Sequence, residues 1–278
     1  MNRVFENSKI RHLLVWMFFA FIISVLFSSF SFIKQFSDEF ISRIMIIIIL
    51  YIVPILWFIR RLQRNSSSIR AFFLKINPVK IRTMVASAIM PMIFGLGIML
   101  LLTALFIVII PETTTGFEGV LSSQKLKIWL FIFKLITLVF IGPVCEEIIF
   151  RGYLLGRLNA KFGIKKGIIL SSIIFGVLHL ENAFGITIFA IILSVLYIKT
   201  RSLIVPIIVH MSFNTIVAVR DIYFILVFGN QSVQSTETPL PLIPTFILSL
   251  ILIIIGLLWI IPFLKNNWKS VEKGYPII

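Results

Sequence analysis

Residues 242–264 read LIPTFILSLILIIIGLLWIIPFL, 23 positions without one ionisable side chain. About 20 apolar residues in a helix cross the hydrocarbon core of a bilayer, so this stretch reads as a membrane span. The rest of the chain has the same character. Of 278 residues, 59% are hydrophobic, and the mean hydropathy is +1.07; soluble domains are roughly 45–50% apolar. No aqueous core of this length hides so much Ile, Leu and Phe. Windows of about 19 residues place further spans near 13–33, 41–59, 83–110, from Lys125 past Pro143, 164–180, 184–198 and 203–219. The expected fold is therefore all-α, a polytopic transmembrane bundle of about eight spans.

The net charge of +15 would point to nucleic acid on a soluble protein. Here the basic residues lie between apolar segments, as topology signals and contacts for membrane lipid headgroups. Nucleic acid is not an expected partner. The loop 60–82 holds Arg60, Arg61, Arg64, Arg70, Lys75, Lys80 and Arg82, with no acid. Segment 151–166, the turn with Lys199 and Arg201, and the tail with Lys265, Lys269 and Lys273 are also basic. Asp38, Glu39, Glu112, Glu118, Glu181 and Asp221 fall in the alternate loops, with Lys34, Lys125, Lys127 and Arg220 a minority against the pattern. Eight spans then leave both termini cytoplasmic. The basic N-terminus (Arg3, Lys9, Arg11) resembles a signal peptide, but the apolar run Leu13–Ile33 is too long for one and lacks a small-x-small cleavage site. It is expected to be a retained span. One cysteine, Cys145, excludes an intramolecular disulfide and a cysteine-based zinc site. The stretch 229–241, with Gly229, Asn230, Gln231 and Pro239, reads as an exposed loop.

Ionisable groups at membrane depth are costly and mark function. His12, at the head of the first span, reads as interfacial. Gly142-Pro143-Val144-Cys145-Glu146-Glu147-Ile148-Ile149-Phe150-Arg151 continues the fourth helix. Glu147 and Arg151 are one turn apart and can pair, which leaves Glu146, about 140° away around the helix, free for another partner. Pro143 frees a backbone carbonyl, expected to be that of Val139, and loosens the helix there. The fourth and fifth helices join around Lys161-Phe162-Gly163. Glu146 lies 16 residues before Phe162 and His179 lies 17 after it, so a hairpin puts a carboxylate and an imidazole at one level, about 24 Å from the turn. In the seventh span, His210 and Asn214 share a face at i,i+4, and both can donate to a developing oxyanion. The plainer reading of that pair is interhelical polar glue. Cys145 beside Glu146 could be a nucleophile, but an apolar site makes a thiol inert, and core filler is the preferred reading.

Taken together, Glu146-Glu147-x-x-x-Arg151, Phe175-x-x-x-His179 and His210-x-x-x-Asn214 resemble the CPBP family, which contains type II CAAX prenyl endopeptidases and bacteriocin-processing or self-immunity proteins. The resemblance covers roughly 125–220. It implies that Glu146 activates the attacking water with His179 assisting, that His210 and Asn214 hold the oxyanion, and that Glu147 and Arg151 support them. It divides the chain into 1–124 (N-terminal spans and basic loop), 125–220 (catalytic core) and 221–278 (loop, last span and basic tail). The family is often labelled metalloprotease. A zinc site would use Glu146, His179 and His210, while the same residues also suit a metal-free glutamate site, the preferred form. The implied protein is an intramembrane endopeptidase of a bacterial cell membrane, acting on a hydrophobic, lipidated or small secreted peptide. Its rivals are a non-catalytic binding or bacteriocin self-immunity protein using the same polar cavity, and a transporter, against which the absence of internal repeats counts. Oligomeric state has no signal in the sequence.

Overall fold

A computed structural model describes residues 9–28, 38–74, 77–109, 128–228 and 241–273. Among these residues the chain is all-helical, with eight helices and no strand. They are α1 (Ile10–Ser28), α2 (38–63), α3 (Ile81–Ile109), α4 (128–162), α5 (Ile164–Val177), α6 (Ala183–Thr200), α7 (Ile204–Phe228) and α8 (Leu242–Lys273). Their positions follow the apolar runs. Parts of the expected organisation at 1–8, 29–37, 110–127 and 229–240, including the 229–241 loop, lie outside the described residues.

Seven of these helices are long and apolar enough to cross a membrane, one fewer than expected. The exception is α5. Its 14 residues reach about 21 Å, short of a hydrocarbon core of about 30 Å. Asn182 is the reason. Its Oδ1 accepts from the Gly185 N–H at 3.2 Å and caps α6, so the chain must leave α5 and turn over 178–182 to present that cap. The turn lies against the middle of α3. A Cβ on Gly95 would come within 2.7 Å of the Asn182 amide, and one on Gly185 within 2.6 Å of the Gly95 Cα. Only two glycines permit this approach. Irregular backbone at membrane depth survives where protein packs around it, and α3 supplies that packing. Gly185→Ala is expected to destabilise the protein by about 1–3 kcal/mol through overpacking, read as a lower melting temperature in detergent.

α2 and α4 share a local device. Pro54 and Pro143 each follow a π-helical turn, Ile47–Ile52 and Thr137–Ile141. A proline ring clashes with the carbonyl four residues earlier, and widening the preceding turn by one residue removes the clash. In both cases the residue before the proline donates five residues back, Val53 N–H to Ile48 O and Gly142 N–H to Thr137 O. α4 has a second π turn, Ile148–Leu154, just after the two glutamates.

α6 is the hub of the bundle. Phe189, Ala190, Ile192, Leu193, Ser194, Val195, Leu196 and Tyr197 are all essentially inaccessible. By contrast α1 exposes Leu14, Trp16, Phe18, Ile23 and Leu26, apolar surface that only lipid covers favourably. This is an integral membrane protein. At one end of the bundle, Phe72 and Asn77 clasp the α6–α7 turn. Asn77 N–H donates to Thr200 O at 2.8 Å, Leu203 N–H to Phe72 O at 2.8 Å, and Asn77 Nδ2 to Lys199 O at 3.1 Å. Phe72 is buried against Phe58 of α2, with ring centroids 5.7 Å apart.

Candidate active site

The two glutamates of α4 have different surroundings. Glu147 is fully buried. Its Oε1 accepts from Arg151 Nη1 at 2.7 Å and from His210 Nδ1 at 2.9 Å, while Oε2 has no partner among the described residues. Arg151, 2% exposed, gives its other nitrogen Nη2 to Ala190 O of α6 at 3.1 Å and lies 4.8 Å over the Phe175 ring. The pairing of Glu147 with Arg151 agrees with the helical spacing.

Glu146 stands apart from that pair, its side chain 16% exposed. Its Oε2 lies 3.8 Å from His210 Nε2, beyond hydrogen-bond length. Its Oε1 accepts from the Tyr51 hydroxyl at 3.0 Å. His210, 3% exposed, therefore binds Glu147 and faces Glu146. Glu147 Oε1 can only accept, so Nδ1 must donate to it. In the imidazolium form Nε2 also donates, and Glu146 and Glu147 are then balanced by Arg151 and His210.

Asn214 sits one turn beyond His210, and its Nδ2 donates to Leu138 O at 2.8 Å. Here the structure corrects the expected carbonyl. In an α-helical register Pro143 would orphan Val139 O, but the π turn shifts the bonding by one residue, and Leu138 O is left over. One amide hydrogen of Asn214 occupies it. The second remains for another acceptor.

His179 is the least integrated of the expected residues. It lies in the 178–182 turn rather than in a helix, it is exposed, and its Nδ1 donates to Phe175 O at 2.8 Å. The neutral ring then keeps its lone pair on Nε2. Among the described residues no hydrogen bond or ion pair joins it to Glu146. The connection is Phe175, whose ring is 4.6 Å from His179, 5.9 Å from His210 and 4.8 Å from Phe150. The structure thus brings together Glu146, Glu147, Arg151, His210 and Asn214, with His179 one aromatic ring away. Cys145 is half-buried with its thiol free.

The expected zinc ligands Glu146, His179 and His210 do not make a metal cage as arranged. Among the described residues no three His, Cys, Asp or Glu side chains come together in a way that could hold a metal ion.

Sequence reasoning missed Tyr51. Its signal was weak, one hydroxyl in the otherwise apolar run 44–59, three residues before Pro54, and its partner is 95 residues away.

Residues 128–216 match the family described as Rce1-like type II CAAX prenyl endopeptidases. The match is to that segment of the chain alone. Residues 128–216 contain α4 through the first half of α7, and with them Glu146, Glu147, Arg151, His179, His210 and Asn214. Over 102 residues the chain is 33% identical to the Bacillus subtilis (strain 168) protein named "Putative membrane peptidase YdiL". That similarity covers 36% of this chain and 41% of the relative, so the chain spans well under half the length of the curated protein it matches. No solved structure matches significantly. Tyr51 lies outside the Rce1-like segment.

Proposed function

We propose that this protein is an intramembrane endopeptidase in which Glu146 activates the water that attacks a peptide carbonyl. The observation that supports this most is the division of labour between adjacent carboxylates. Glu147 is consumed by Arg151 and His210, whereas Glu146 is partly accessible and faces His210 across 3.8 Å. A general base must accept a proton and still reach its water, and only Glu146 meets both needs. In this mechanism the carboxylate of Glu146 takes a proton from water as the oxygen attacks the carbonyl carbon. His210 Nε2–H and the second amide hydrogen of Asn214 stabilise the oxyanion. The Nε2–Glu146 separation means an incoming oxygen can accept a hydrogen bond from Nε2–H without first displacing one to Glu146. The proton then passes from Glu146 to the leaving amine as the tetrahedral intermediate collapses. His179, with its free Nε2, assists proton transfer at the substrate side.

The exterior supports a substrate class. Exposed apolar side chains flank His179, among them Val177, Leu178, Leu180 and Phe184. A hydrophobic or lipidated peptide, arriving along the bilayer, suits such surroundings. The basic loop 60–82 and the turn at 199–202 lie at one end of the bundle, and the excess of Lys and Arg there assigns that end to the cytoplasm; both termini follow if α5 and α6 together form a returning hairpin.

The test is proteolysis of a panel of hydrophobic, prenylated and small secreted peptides by the purified protein in detergent, beside Glu146→Gln and with a chelator in a third arm. Cleavage lost in Glu146→Gln and retained with chelator is expected. Cleavage abolished by the chelator and restored by zinc would overturn the metal-free form. Peptides that bind equally well to wild type and variant without being cut would transfer the site to a binding or immunity role.

A further inference from the structure

Tyr51 is unlike the other site residues, because it comes from α2, remote in sequence and outside the Rce1-like segment. Its hydroxyl donates to Glu146 Oε1 at 3.0 Å. Three features of the fold converge on that contact. Tyr51 sits in the π turn before Pro54, and Glu146 follows the π turn before Pro143. The π turn of α2 packs against the Gly142–Glu147 stretch that follows the π turn of α4. That stretch begins with Gly142, where a Cβ would lie 3.2 Å from the Tyr51 hydroxyl and 3.6 Å from Glu146 Oε1. A Cβ there would press on the Tyr51 hydroxyl and merely touch Glu146, so the glycine leaves the phenol room to approach. A third feature is the long contact to His210, which leaves Tyr51 as the one hydrogen-bond donor to Glu146 among the contacts described.

We propose that Tyr51 is a positioning residue for Glu146. Resting on the peptidase reading, the inference deepens it. The phenol fixes the carboxylate rotamer so that Oε2 faces His210 Nε2 and the reacting water, while the hydrogen bond occupies Oε1. A glutamate has three rotatable side-chain bonds, and a base displaced by about 1 Å can lose about 100-fold in rate. The role thus lies in orientation, and Tyr51 itself need not touch substrate. It also means that the Rce1-like segment is completed by a residue the segment does not contain.

Tyr51→Phe keeps the ring and removes the hydroxyl. The expected result is a kcat lower by about 10–100-fold, the scale of a hydrogen bond to a charged group, with KM within about twofold and the melting temperature in detergent nearly unchanged. The deciding arm is the same substitution in Glu146→Asp, whose shorter carboxylate is out of reach of the phenol. There Tyr51→Phe should cost less than about threefold. A Tyr51→Phe enzyme as fast as wild type overturns the positioning role and leaves the Glu146 reading standing. Equal losses in the wild-type and Glu146→Asp backgrounds also overturn it, because the tyrosine would then act elsewhere. Should wild type and Glu146→Gln cleave alike, the assignment of Glu146 as the base falls and takes this role with it.

Discussion

Arg151→Met is expected to lower stability by about 3–5 kcal/mol, the scale seen when one partner of a buried ion pair is removed. The guanidinium is 2% exposed and binds Glu147 Oε1, the Ala190 carbonyl and the face of Phe175. Without it, Glu147 keeps only His210 as a partner, and its Oε2 is already unmatched among the described residues. The Ala190 carbonyl in the central helix also loses a donor, although it keeps the Ser194 hydroxyl at 2.8 Å. Thermal unfolding in detergent, followed by circular dichroism, measures the effect. Replacing both partners, as in Glu147→Leu with Arg151→Met, is expected to recover most of the stability, since apolar isosteres of a buried pair are often neutral or better. It should not recover cleavage, because His210 Nδ1 would have no acceptor and its ring no fixed orientation. A double variant as unstable as the single one would show that packing, rather than the stranded charge, dominates.

Glu146→Gln is expected to reduce cleavage by about 100- to 10,000-fold, the range that a positioned general base supplies. The fold should survive the change, for a specific reason. The amide oxygen of glutamine can still accept from Tyr51, and the side chain keeps its volume. The variant removes proton-accepting capacity while leaving contacts in place, so an unchanged melting curve beside lost kcat is the outcome to look for. Retention of more than about a tenth of wild-type kcat would place the base elsewhere, with His179 Nε2 the next candidate.

Much of this arrangement is written in the chain in local form. Apolar runs give the helices, and spacings of four residues give Glu147–Arg151 and the shared face of His210 and Asn214. What was not legible depends on neighbours or register. A π turn inserts one residue into a helix without altering its composition, so the orphaned carbonyl moved from Val139 to Leu138. Window hydropathy counts apolar residues and does not weigh a cap, so 164–180 reads as a span although Asn182 ends α5 after 14 residues. The level reached by His179 follows from residue counting, but its rotation does not, and its Nδ1 turns to a backbone carbonyl one turn earlier. Tyr51 belongs to the same class, since nothing local says which helix its hydroxyl will meet.

The clasp of Phe72 and Asn77 on the α6–α7 turn has a consequence for biogenesis. The backbone of Phe72 and Asn77 finds its partners only at Leu203 and Thr200, more than 120 residues later in synthesis. At about 5–20 residues per second, the early helices wait on the order of 6–25 seconds beside the ribosome before the segment that fastens them exists. During that interval α1 and α2 are unlatched, and Tyr51 has no carboxylate to hold until Glu146 is made 95 residues after it. The candidate site closes late in insertion, and a nascent chain halted before Thr200 still lacks His210 and Asn214.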